Sequence, residues 1–123
     1  MKLLIVDDAS MVRRAVGRVF TTDFFDEIEQ ASDGLDALAT FDSFRPDVVT
    51  LDITMPHLDG LSVLEEMVKR NPDIRVLIIS ALADVHTAVK ALKIGAEQFI
   101  CKPFTQEELR EGLDEVLEDY ATN

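Results

Sequence analysis

The sequence predicts an α/β fold, a doubly wound parallel sheet of five strands with five helices laid over its two faces. Five short apolar runs alternate with five amphipathic stretches from one end of the chain to the other, the pattern of successive strand-helix crossovers. The run Val48-Val49-Thr50-Leu51 has no charged alternation, so it reads as a strand buried on both faces, as in the middle of a parallel sheet. Four of the runs stop at polar residues, Asp7-Asp8, Asp52, Ser80 and Lys102. Parallel strands deliver such residues to a single edge, where open α/β sheets bind their ligands.

The first strand runs from Leu3 to Val6 and is halted by Asp7-Asp8. From Ser10, Val12, Ala15, Val16, Val19 and Phe20 fall on one helical face and Arg13, Arg14 and Arg18 on the other, so the Arg13-Arg14 pair is expected to be a solvated surface. Ile28 to Ala31 make a brief second strand, with Ser32-Asp33-Gly34 as its exit turn. Leu35, Leu38 and Phe41 then recur at helical spacing up to Arg45-Pro46, because proline biases the residue before it away from helix.

The third strand, Val48 to Leu51, ends in Asp52, and Pro56 with Asp59-Gly60 closes the following loop. Leu61, Leu64, Met67 and Val68 mark a third helix, stopped by Asn71-Pro72; Ile74 to Ile79 form a fourth strand finishing at Ser80. A weaker stripe of Val85, Ala88, Val89 and Leu92 ends at Gly95, a C-terminal cap. Phe99 to Cys101 form the fifth strand and lead to Lys102-Pro103. Thr105 with Glu108 three residues later is a capping box, and Leu109, Leu113, Val116, Leu117 and Tyr120 continue the last helix. Met11, Met55 and Met67 are spaced as packing residues, and Cys101 reads as a small buried hydrophobe.

A chain of 123 residues is expected to form one domain, 1–123, able to bury a core without disulfides or structural metal. Twelve Lys+Arg against 24 Asp+Glu leave a net charge of −12. That surface repels phosphate backbones and anionic lipid, so neither nucleic acid nor membrane is expected as a direct partner. Four apolar residues at the start are too few for a signal-peptide core, and the run Val76 to Ile79 is too short to cross a bilayer. A cytoplasmic protein with soluble partners is the expectation. Two histidines without a companion ligand, His57 and His86, do not read as metal-binding.

Carboxylates gathered in one crevice repel one another and call for a counter-cation. Their hard oxygens suit Mg²⁺, which takes one or two carboxylates and leaves room for phosphate oxygens. Three aspartates, a divalent ion and Lys102 sum to zero charge. A carboxylate is also an established covalent acceptor of phosphate, and Asp52, alone and central, is the best-placed nucleophile. Singly, each residue has a plainer reading: Asp7-Asp8 as a helix cap, Ser80 as a loop serine, Lys102 as an exposed charge, Phe99 as a core aromatic.

Together, LLIVDDASMVRR, QASDGLDAL, DVVTLDITMPHLDG, VLIISA and GAEQFICKPFT resemble, in order and over the whole chain, the receiver domain of two-component response regulators. Within that family the similarity is greatest to stand-alone chemotaxis regulators. The resemblance implies a flavodoxin-like sheet of order 2-1-3-4-5. It implies that Asp7 and Asp8 organise Mg²⁺, Asp8 by direct ligation, that Asp52 is both phosphoacceptor and ligand, and that the backbone carbonyl of Thr54 is a further ligand. It implies Ser80 and Phe99 as switch residues and Lys102 as the family's lysine, with a cis bond to Pro103. The implied partners are a histidine kinase or phosphotransfer protein and a target protein on the face made by the fourth helix, fifth strand and fifth helix. The implied state is a monomer or a phosphorylation-dependent dimer, and not an enzyme beyond its own phosphoryl uptake and loss.

Three positions set this chain apart within the pattern. Phe99 stands where chemotaxis regulators usually carry tyrosine, so no phenolic hydroxyl is present. Thr54 and Leu82 occupy the variable positions flanking the phosphoryl site, and Leu82 offers no polar group. The alternatives are the receiver portion of a larger regulator, a phosphorelay intermediate, or an aspartyl-nucleophile phosphatase of the haloacid dehalogenase type. The phosphatase requires a second acid two residues after the nucleophile, where Thr54 stands. A nucleotide or flavin module is disfavoured, because Asp7-Asp8 would repel the phosphate after the first strand.

Overall fold

Each apolar run becomes a strand and each amphipathic stretch a helix in the computed structural model, which describes residues 1–20, 25–54, 59–81 and 85–118. Met55, His57, Leu82 and Tyr120 lie outside the described residues, as do the side chains of Phe20 and Val85. The order is β1 (Lys2–Val6), α1 (Ser10–Phe20), β2 (Glu27–Ala31), α2 (Gly34–Phe44), β3 (Val48–Asp52), α3 (Gly60–Arg70), β4 (Arg75–Ser80), α4 (Val85–Ile94), β5 (Gln98–Cys101) and α5 (Gln106–Val116).

The strands pair in parallel as β2-β1-β3-β4-β5, the implied order. All five residues of β3 are buried, because β1 and β4 flank it and helices cover both faces. Alternation then divides the interior. Val49, Leu51, Val76 and Ile78 pack with Phe41, Leu64, Met67 and Ala91 under α2, α3 and α4. Val48, Leu77 and Ile79 pack with Val16, Val19, Leu109 and Leu113 under α1 and α5. Period two in the strands assigns each residue to one of the two layers.

The helix ends follow local chemistry. Asp33 accepts from Asp36 N at 2.8 Å and starts α2, and Asp59 accepts from Leu61 N at 3.0 Å and starts α3. Thr105 and Glu108 form the reciprocal capping box of α5. Gly60 is required by a close approach: a Cβ there would stand 2.3 Å from Ile53 Cα. Gly95 follows α4 with φ +140°, a conformation that favours glycine.

Some sequence expectations are corrected. Met11 is 79% exposed and Leu35 is 73% exposed; both sit in the first turns of their helices, where the chain has only just left the sheet, so they pack on neither layer. In α4 the buried line runs through Ala91, while Val89 and Leu92 are exposed. A small residue brings α4 onto the layer and turns the larger side chains outward. Cys101, expected to be buried, is only half-buried near the sheet edge formed by β5.

Candidate functional site

β1 and β3 are adjacent, with Val6 opposite Leu51, so the residues that follow them leave the sheet side by side. Asp7 and Asp52 are both 2% exposed, whereas Asp8 is exposed. One oxygen from each of Asp7, Asp8 and Asp52 can be chosen so that all lie within 4.8 Å of one another. Residues more than forty positions apart in sequence are thus joined by one strand pairing.

Each carboxylate is oriented by its neighbours. Asp7 Oδ1 accepts from Ala9 N at 2.9 Å, a bond that orders the turn between β1 and α1; it does not cap α1, which begins at Ser10. Asp52 Oδ1 accepts from Thr54 N at 2.8 Å and from the Thr54 hydroxyl at 2.6 Å. The opposite oxygen of Asp52 faces the Lys102 ammonium at 3.1 Å, and the same ammonium lies 2.9 Å from Asp7 Oδ2. Lys102 is placed by β5: its N–H donates to the Ser80 carbonyl at 2.6 Å, and its peptide to Pro103 is cis, as the resemblance implies.

Burial pushes the Asp7 carboxyl pKa up, and the nearby Asp52 charge adds to this against the opposing effects of Ala9 N–H and Lys102. Burial alone would lower the Lys102 pKa; hydrogen bonds to Asp7 and Asp52 outweigh it and hold the amine above its usual value. The pocket therefore concentrates negative charge around a single firmly protonated cation. Three carboxylates and one ammonium leave a formal charge of −2, and the donors are all hard oxygens. This donor set fits a divalent cation such as Mg²⁺, bound through carboxylates and water.

Ser80 is buried at the end of β4, beside Cys101 in the register. Phe99 is half-buried, lies opposite Ile78 and packs against the α2-α3-α4 layer. Asp7, Asp8, Asp52 and Lys102 come together in one cluster, Ser80 and Thr54 adjoin it, and Phe99 stands apart on β5. The sequence reading gives Thr54 a ligating carbonyl and a place flanking the phosphoryl site but no bond to Asp52, which its hydroxyl and N–H both make. It also treated Arg13 as solvated, whereas its guanidinium donates to the Asp7 carbonyl at 2.7 Å and to Gln30 Oε1 at 3.1 Å. The spacing of Arg13 from Asp7 across the strand-helix turn was the available signal.

The sequence model for the response regulator receiver domain matches residues 3–114. The chemotaxis protein CheY of Listeria monocytogenes is 40% identical over 114 residues, covering 93% of this chain and 96% of that protein. The regulatory protein AtoC of Escherichia coli is 42% identical over 108 residues, covering 88% of this chain but 23% of that protein. Among solved structures, CheY in the CheX-CheY-BeF3-Mg+2 complex from Borrelia burgdorferi superposes with a TM-score of 0.86 at 33% identity, over 98% of this chain and 89% of that one. Sheet order, acidic edge and sequence agree, and the chain belongs to the response regulator receiver domain family.

Proposed function

We propose that this chain is a phosphorylation-activated signalling switch whose receiver unit spans residues 1–123 and works in the cytoplasm, with Asp52 accepting the phosphoryl group. The observation that carries the reading is the convergence of Asp7, Asp8 and Asp52 oxygens within 4.8 Å around the Lys102 amine. Asp7, Asp8, Asp52 and the Thr54 carbonyl are the residues to hold Mg²⁺. Bound there, the ion supplies positive charge that lets carboxylates and phosphoryl oxygens share one pocket.

An Asp52 oxygen attacks the phosphorus of a phosphohistidine on a kinase or phosphotransfer protein. A carboxyl oxygen–phosphorus bond forms, the phosphorus–nitrogen bond breaks, and the electron pair leaves on the imidazole. Thr54 fixes the carboxylate plane through two hydrogen bonds to Oδ1, which preorganises attack. Lys102 then exchanges a carboxylate for a phosphoryl oxygen. Ser80 moves toward that group and Phe99 turns inward, changing the α4-β5-α5 face presented to a target protein. The shift requires that the phosphoryl group contact the two states differently. On this reading the chain is a switch and not an enzyme beyond its own phosphoryl uptake and loss.

A second reading, that the same unit is the receiver portion of a larger regulator, is favoured by the match to AtoC over only 23% of that protein. Both readings share the Asp52 chemistry. Incubation with a small acyl phosphate and Mg²⁺ adds one phosphoryl mass, and Asp52→Asn abolishes it; addition at another residue refutes the assignment. Lys102→Ala separates phosphoryl uptake from the change in the α4-β5-α5 face, and an unchanged amide NMR response on phosphorylation removes its proposed role.

A further inference from the structure

Helix α1 carries Arg13, Arg14 and Arg18 and no acidic residue, within a chain of net charge −12. The three arginines line a groove of about 430 Å³ between α1 and β2, together with Gly17, Ile28 and Gln30. Arg14 is exposed and makes no hydrogen bond or ion pair among the described residues. The groove is thus a local reversal of the molecule's charge, and it selects for an acidic occupant.

Two further observations bear on the shape of that occupant. Gly17 sits in the middle of α1, where glycine is less favourable than alanine because of its backbone entropy. A Cβ at this position would meet only Ile5 Cδ1, 4.0 Å away, which is ordinary contact, so packing does not demand the glycine. Its effect is to leave room in the groove wall formed by α1, where a side chain of an occupant can enter. The second observation is that β2 is the edge strand, paired with β1 on one side only among the described residues. An edge strand keeps hydrogen-bonding groups available to an added strand.

We propose that the α1-β2 groove docks an extended acidic segment of a partner protein, added along the free edge of β2 with an acidic side chain against Arg14 and the others within the positive field that Arg13 and Arg18 add to the groove. Ile28 and Gln30 face α1, so by strand alternation Glu27 and Glu29 face the other way. The docked segment therefore has acids at every second position and uncharged or basic residues between them, since acids on the Glu27-Glu29 side would be repelled. A second copy of the chain does not meet this pattern: pairing β2 with β2 about an axis normal to the sheet sets Glu27 and Glu29 of both copies on one face.

The test is fluorescence anisotropy of a labelled octapeptide of alternating glutamate and threonine, titrated with the whole chain. A lysine-threonine peptide and a single-stranded DNA octamer serve as comparators. The glutamate peptide binds saturably, more weakly as salt rises, and alone among the three, with amide NMR shifts confined to β2 and α1. Arg14→Glu weakens it by about fivefold or more, and Gly17→Leu weakens it without changing any charge. Gly17→Ala keeps the fold, raises the melting temperature and reduces affinity. Equal affinity in the arginine and leucine variants, tighter binding of the DNA, shifts elsewhere or no peptide binding overturns the proposal.

Discussion

Thr50 and Asp52 sit two residues apart on β3 and are treated differently by the fold. Both are almost fully buried, but Asp52 is held by Thr54 and Lys102, whereas Thr50 Oγ1 has no hydrogen-bond partner among the described residues. A buried hydroxyl without a partner costs about 1–3 kcal/mol, and valine has nearly the same shape. Thr50→Val should therefore stabilise the chain by about 1 kcal/mol, seen as a higher urea midpoint at unchanged slope. A lower midpoint would mean that the hydroxyl is satisfied in solution. Residue identity at the pocket was legible because aspartates and a lysine after apolar runs are few. The Thr54 hydroxyl and the Arg13 guanidinium were not, because their directions are set by turns that a one-dimensional pattern does not describe.

At the scale of elements, the last helix and the fourth one mark the range of what periodicity can tell. The start of α5 is written locally, in Thr105 and Glu108, and the structure shows both halves of the box, with Glu108 N donating to Thr105 Oγ1 at 3.0 Å and Thr105 N to Glu108 Oε1 at 3.2 Å. Thr105→Ala should cost about 1 kcal/mol, measured by chemical denaturation, and a change within error would show that tertiary packing alone fixes the helix start. The stripe of α4 misleads, because Val89 and Leu92 obey helical spacing yet face outward. Ala91 carries the contact there, with Ile94 partly buried beside it, and alanine is too weak a signal of burial to outvote leucine. Those exposed residues lie on the face assigned to a target in the proposed function.

The whole molecule sets two nearly fully buried acids and an exposed one against a single lysine, and this imbalance should make its stability depend on divalent cations. An ion that binds only the folded state stabilises it by about 2.7 kcal/mol at a hundredfold excess over Kd. Mg²⁺ should raise Tm by several degrees in a thermal melt, chelation should reverse it, and Asp52→Asn should reduce the shift; a Tm indifferent to Mg²⁺ would count against the site. By itself the sequence determined the alternation of strands and helices, the capping box of α5 and the list of polar residues that close the strands, because each of these depends on neighbours within a few positions. Only the tertiary structure decided that Lys102 bridges Asp7 and Asp52, that Arg13 binds the Asp7 carbonyl and that Met11 and Leu35 stay in solvent. Those outcomes depend on which strands are neighbours and on where each helix crosses the sheet. The Lys102 contacts join residues remote in the chain, whose approach is set by the packing of the two layers rather than by local propensity.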